Sequence, residues 1–397
     1  MIGYKILNQF KSLITDYFCN YSTKVNKNFQ KILLDTMILY FVIQRKINFL
    51  QLGRYGKFSE QTYRNNFSKD FDWFDFNKNL ASKNLAGKRK AIAIDPSFIS
   101  KSGKQTPWIG YFWSGCANSI KRGLEILGIG LIDIDNHDCF TLQAIQTPDT
   151  ITLDNEDGDI VTWYAKSICL IKDKLQELSS YIVADAYFAK STFLNIISQD
   201  NFHLISRFRQ DADLLYLTNQ PAKNGRGRPR LYDGKVYFKD LDISRCNKLD
   251  NIKEEAYSLI VYSKALKRNI KLVIVYTNEK KTKWILYFST DTNMSGGDVV
   301  EYYRTRFQIE FCFRDAKQFT GLEHSQARDV AKMKFNFNAS LSAVNMAKVV
   351  CKENQIRYSI ASCKVLIHNM FMIERFFNVL GIEPDKHLND KNFKELV

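Results

Sequence analysis

Two short apolar runs that each end in an aspartate constrain this chain most: Ala91-Ile92-Ala93-Ile94 before Asp95, and Tyr181-Ile182-Val183-Ala184 before Asp185. Runs this short suit buried strands, since helices in globular domains usually need about ten or more residues. GLEILGIGLIDID and CFTLQAIQT are two further strand-like stretches, separated by the turn signal Asn136-His137-Asp138. Residues 159–178 read as an amphipathic helix, a helix follows Asp185, and HLISRFR is another strand. Strand-strand-strand-helix-strand-helix-strand is the order of an α/β domain with a mixed sheet and flanking helices.

The flanks differ. Residues 1–86 read as helical, with Phe29, Ile32, Leu33, Thr36, Met37, Tyr40 and Phe41 at helical spacing. Gly53 and Gly56 break that pattern, and Ser59 with Glu60 signals a new helix that displays Gln61, Arg64 and Asn65. Residues 1–85 hold 13 basic and 6 acidic side chains. This segment is expected to be a helical DNA-binding head with Arg64 at the contact; a helical bundle with a solvated basic face is the alternative. Residues 211–290 contain KVYFKDLDI, AYSLIVYSKA, IKLVIVYTN and KWILYFSTD with no helix between, a β-rich insertion with 16 basic and 9 acidic residues. Helices resume near Ser295. The expected division is a head (1–86), a core in two parts (87–210 and 291–345) around the insertion (211–290), and a C-terminal helical region (346–397).

A net charge of +15 points to a polyanionic partner, most often nucleic acid. The most apolar stretch, Ile32 to Ile43, is 12 residues long and contains Asp35, too short for a membrane span of about 20 residues. The N-terminus MIGYKILNQF lacks a signal-peptide layout. A cytoplasmic, nucleoid-associated protein without membrane contact is expected. The 8 cysteines include no C-x-x-C pair and the 5 histidines no tight cluster, which argues against a structural zinc or histidine-rich metal site. The cysteines are expected to be reduced and mostly buried.

Active sites of open α/β sheets lie outside the strand carboxyl ends, where Asp95 and Asp185 are expected. Carboxylates brought together there repel, and a hard divalent cation with oxygen ligands neutralises them. Alone, each aspartate also reads as a turn former or helix cap. A third group lies in EYYRTRFQIEFCFRDAKQF. At about 100° per residue, Tyr303, Arg306, Glu310 and Lys317 fall on one helical stripe about 60° wide. Such a stripe suits an anionic substrate beside a metal; a solvated face with an Arg306–Glu310 pair fits the spacing equally well.

Tyr303, Arg306, Glu310 and Lys317, with gaps of two, three and six residues, resemble the Y-R-E-K signature of bacterial insertion-sequence DDE transposases of the insertion-sequence-four group. AIAID and YIVADAYF resemble that group's first two aspartate motifs. The resemblance covers roughly residues 87–330, including a β-rich insertion between the second aspartate and the glutamate. One departure is Pro96, where many relatives carry a small hydroxyl residue; Ser97 follows it. The resemblance implies an RNase H-like fold in which Asp95, Asp185 and Glu310 bind two Mg²⁺ ions (Mn²⁺ can substitute), with Asp95 bridging them. It implies that Tyr303, Arg306 and Lys317 hold phosphates near the cut. It further implies cleavage at the ends of an insertion sequence and joining of the 3′-hydroxyl ends to target DNA, by a homodimer that holds double-stranded terminal inverted repeats in a synaptic complex. The alternatives are a domesticated, non-catalytic DNA-binding protein, against which the intact carboxylates argue, and a metal-dependent nuclease of the same fold, against which the Y-R-E-K stripe and the insertion argue.

Other residues point to DNA. Gly225-Arg226-Gly227-Arg228-Pro229-Arg230 resembles a minor-groove AT-hook core, with Arg226 and Arg228 as the groove contacts; an exposed basic loop is the alternative. Lys121 and Arg122, before GLEILGIG, are expected to flank the active site. Trp284 reads as a base-stacking aromatic or a packed core residue. His324 and Arg328 lie within reach of DNA just beyond the glutamate helix. VLIHNMFMIERFFNVL offers an apolar face to the core or to a second subunit.

Overall fold

The computed structural model describes residues 2–20, 25–156, 158–218 and 230–382. The first part is helical: α1 (Ile2–Asn20), α2 (Lys27–Val42), α3 (Phe49–Tyr55), α4 (Glu60–Asn66) and α5 (Trp73–Asn84). Ser59 caps α4, its Oγ accepting from the Thr62 amide at 3.2 Å. Phe29, Ile32, Leu33, Met37, Tyr40 and Phe41 of α2 are all buried. Asp35 is buried among them and accepts from the Tyr63 hydroxyl and from the Lys57 amide at 3.1 Å. Those two donors compensate the burial of a carboxylate and tie α2 to α4.

The chain then builds a mixed sheet. In order come β1 (Lys90–Ser100), β2 (Gly110–Ser114), β3 (Ser119–Asp133), β4 (Asp138–Gln146), α6 (Thr150–Glu156), α7 (Ile160–Cys169), α8 (Lys172–Gln176), β5 (Tyr181–Val183), α9 (Ser191–Ile197) and β6 (His203–Phe208). β7 (Leu214–Leu217), β8 (Tyr232–Lys235), β9 (Asn247–Lys248), β10 (Ala256–Ser263), β11 (Arg268–Tyr276) and β12 (Trp284–Ser289) follow without an intervening α-helix among the described residues. The order across the sheet is β2-β3-β1-β5-β6-β12-β11-β10-β7-β8, with β4 on β3 and β9 on β10. β1, β5 and β6 run parallel and the other pairs are antiparallel. The β-rich segment therefore continues the core sheet, joined where Leu286 of β12 faces Phe208 of β6. This is a mixed α/β fold with helices at both ends of the chain, consistent with an RNase H-like core.

Two expectations about strands are corrected. Asp95 does not end its strand: β1 runs on to Ser100 because β3 pairs with it along its whole length, from Lys90–Asp133 to Ser100–Gly123. KVYFKDLDI is not one strand either. β8 stops at Lys235, and Val236 and Phe238 turn into the core instead.

α10 (Gly296–Thr305) and α11 (Gln308–Phe319) return to the core, followed by α12 (Val330–Glu353) and α13 (Ile360–Val379). α12 lies along β4, which has β3 on one side only among the described residues. Asparagines take the place of a missing strand. Asn338 accepts from the Ala144 amide at 2.8 Å and donates to the Ala144 carbonyl at 3.0 Å. Asn345 does the same at Thr141, at 3.2 and 2.7 Å. A carboxamide has one acceptor and one donor end, so it matches a peptide group and seals a strand edge. Asn338→Leu leaves the Ala144 amide and carbonyl buried without these partners. Equilibrium urea denaturation is expected to show a loss of about 2–4 kcal/mol, from about 1–3 for each unsatisfied group.

Candidate active site

The pairing register brings Asp95 and Asp185 together. β1 and β5 are parallel with Ala93 opposite Val183, and each aspartate lies two residues further along its chain. Asp185 caps a 3₁₀ turn, Ala186–Phe188, accepting from the Tyr187 amide at 2.9 Å. Its carbonyl accepts from the Ser206 hydroxyl of β6 at 2.8 Å.

The stripe of Tyr303, Arg306, Glu310 and Lys317 is not carried by one unbroken helix. α10 ends at Thr305 and α11 starts at Gln308. Across the joint the bonds tighten: Arg306 N reaches the Tyr303 carbonyl at 3.1 Å, Ile309 N the Arg306 carbonyl at 3.2 Å and Glu310 N the Phe307 carbonyl at 3.0 Å. These are i→i+3 bonds of 3₁₀ type. The backbone stays near helical dihedrals, so Arg306 and Glu310 still share a side.

Arg306 sits between the carboxylates. Its Nη1 donates to Asp95 Oδ1 at 3.2 Å and its Nη2 to Glu310 Oε1 at 2.6 Å. Its side chain is 13% exposed, and its Nε is buried without a hydrogen-bond partner. The guanidinium lies 5.8 Å from the Tyr303 ring. Burial pushes the Asp95 carboxyl up to about 7; Arg306 opposes that shift, and the like charges of Glu310, Asp185 and Glu125 add to it. Among the described residues, no group of three or more His, Cys, Asp or Glu side chains lies close enough together to hold a metal ion.

The other expected contacts are dispersed. Lys317 donates to the Phe98 carbonyl of β1 at 2.7 Å and pairs with Glu323 at 3.8 Å. Lys121 and Arg122 are exposed on β3, opposite Phe112 and Tyr111 of β2. Arg64 is far from this arrangement in contact terms: it pairs with Glu60 and stacks on Phe49 in a separate cavity shared with Arg328 and Lys332. Arg226 and Arg228 lie outside the described residues. Trp284 packs against Phe238 with ring centroids 5.8 Å apart. His324 is half-buried and accepts from the Ile47 amide at 3.1 Å.

Sequence reasoning misses the cavity beside the two aspartates. It has a volume of about 680 Å³, and its lining includes Asp95, Asp185, Glu125, Tyr111, Trp113 and Tyr187. Tyr111 and Trp113 are 70% and 56% exposed, on the hairpin of β2 and β3. Glu125 is buried and accepts from the Tyr164 hydroxyl. The available signals were a glutamate inside the apolar run GLEILGIGLI and three consecutive aromatics in GYFWS.

Residues 166–346 match the family of the transposase DDE domain. The match includes Asp185, Tyr303, Arg306, Glu310 and Lys317 and begins after Asp95. It supports a DDE transposase, an enzyme class that acts on DNA. No curated protein matches the chain. Among the described residues, no helix is long and apolar enough to cross a membrane.

The raised Asp95 carboxyl has a consequence for stability. The unfolded aspartate loses its proton near pH 3.8. Between there and about 7 the folded protein binds the extra proton, so stability falls as pH rises. Asp95→Asn removes that dependence. Thermal melts are expected to show the variant more stable than wild type at pH 8, by at most a few kcal/mol, and the two converging below about pH 4.

Proposed function

We propose that the chain is an insertion-sequence transposase of the Y-R-E-K group, which cleaves at its element's ends and joins the 3′-hydroxyl ends to target DNA. The observation that carries this reading is that Arg306 bridges Asp95 and Glu310 while Asp95 lines one cavity with Asp185, in a chain whose 166–346 segment matches a transposase DDE domain. Asp95 lies outside that segment, and its role rests on the β1–β5 register.

The donor chemistry suits a hard cation, since Asp95, Asp185 and Glu310 offer only carboxylate oxygens, the ligands that Mg²⁺ or Mn²⁺ takes; with Arg306 in place the described residues are not gathered closely enough to hold one. Asp95, Asp185 and Glu310 would hold the metal. When bound, a divalent pair activates the attacking water or 3′-hydroxyl and stabilises the leaving oxygen. Arg306 and Lys317 supply positive donors for phosphates on either side of the cut, and Tyr303 supports the Arg306 guanidinium from below. The aromatic walls at Tyr111 and Trp113 suit a nucleobase next to the scissile phosphate, and Lys121 and Arg122 suit its backbone. The helices of 1–86 are the proposed end-binding head, and synapsis of two ends calls for a homodimer at the nucleoid.

The test uses labelled DNA carrying the inverted repeats that flank this protein's own gene. Glu310→Ala and Asp185→Ala are expected to lose cleavage by more than the roughly 10–100-fold that loss of a supporting residue costs, with end binding largely intact in a gel-shift assay. Parallel loss of binding and cleavage would mean that these side chains hold the fold and would sink the assignment. Trp113→Ala is expected to weaken binding of ends with an unpaired base by about 1–3 kcal/mol, and to leave fully paired duplex unaffected.

A further inference from the structure

The carboxylate site contains a cation of the protein's own. Arg306 bridges Asp95 and Glu310. Among the described residues, neither carboxylate has another ion pair within 4.0 Å. Yet the guanidinium is incompletely used. One bond comes from each terminal nitrogen, and the buried Nε donates to nothing. A buried unsatisfied N–H is uncommon in a purely structural ion pair, because each such group carries a desolvation cost. Arg306 also stands at the joint between α10 and α11, where i→i+4 bonding gives way to i→i+3. A side chain at a joint can turn without dismantling a helix.

We infer that Arg306 is a stand-in cation: in the DNA-free protein it occupies the charge-compensating position between Asp95 and Glu310, and a DNA phosphate draws it away so that metal loading is coupled to DNA binding. The inference rests on the carboxylate reading given above. A guanidinium prefers a phosphate fork that uses Nε together with a terminal nitrogen, the donor left idle here. Its departure leaves crowded carboxylates uncompensated, which is costly in a buried site unless another cation replaces it. Coupling of this kind is reciprocal: DNA tightens metal binding by the same factor by which metal tightens DNA binding. A transposase with this device is poorly loaded with metal until an end is in place, which suppresses cutting of unselected DNA.

The experiment measures Mn²⁺ affinity by electron paramagnetic resonance on the full chain. Wild type, Arg306→Ala and Arg306→Gln are compared, each with and without a pre-cleaved end duplex, and each in an Asp95→Ala background. Arg306→Gln keeps much of the side-chain volume, so the comparison survives if the alanine variant folds poorly. Without DNA, the variants are expected to bind Mn²⁺ about 5- to 150-fold more tightly than wild type. The duplex is expected to close that gap by tightening wild type, with little change in the variants. Equal DNA-free affinities, with Asp95→Ala still removing the site, would overturn the stand-in role and leave the carboxylate reading in place. Binding that ignores Asp95→Ala in every background would overturn both.

Discussion

The site depends on how β1 is held from both sides. β3 pairs with all of it, while β5 pairs only at Ile92 and Ala93. Asp95 therefore has a fixed backbone on one side and an opening on the other, where β5 has ended and Asp185 emerges. The residue opposite Asp95 is Gly128. A Cβ there would lie 2.2 Å from the Phe313 ring of α11, so any larger residue would force that ring to shift. The glycine lets α11 lie close to β3, and Glu310, one helical turn before Phe313, is brought over Asp95 by the same contact. One register thus puts Asp95 and Asp185 on the lining of one cavity, and one missing side chain lets the helices pack where Arg306 joins Glu310 to Asp95.

The helical layer secures that arrangement from behind. α12 is buried along most of its length and contacts α1, α2, α5, α11 and β4. Its polar side chains are spent inside: Asn338 and Asn345 on the β4 edge, and Asn336 as acceptor for the Tyr40 hydroxyl at 2.8 Å. From α13, the buried Lys364 donates to the Phe319 carbonyl at 2.6 Å, at the C-terminal end of α11. Helices from the two ends of the chain share one core, and the Glu310 helix is anchored at its far end by that core.

Local signals were readable where local chemistry decides the structure. Ser59 caps α4 because its hydroxyl meets an amide three residues on, and β10, β11 and β12 follow their β-branched and aromatic runs. The two aspartates stood out because each follows a short apolar run. The extension of β1 past Pro96 was hidden: proline lacks an amide donor and suggests a strand end, but pairing with β3 carries the strand through. The break between α10 and α11 has no glycine or proline to announce it. The Glu125 cavity, the asparagine edge and the Arg306 bridge are contacts between residues far apart in sequence, and no spacing rule reaches them.

The charge pattern has a logic on two length scales. The chain carries +15 overall, which attracts DNA over about a Debye length of 10 Å or less in physiological salt. The centre has the opposite sign: Asp95, Asp185, Glu125 and Asp159 all line one cavity. A phosphate drawn in by the outer charge would meet repulsion at the last step unless positive charge is already there. Arg306 provides it through its pair with Asp95, a residue of that lining. On the stand-in reading, the residue that compensates Asp95 and Glu310 in free protein is also the one that takes the phosphate. Receiving it removes the compensation and creates the need for a divalent cation at the moment when one is useful.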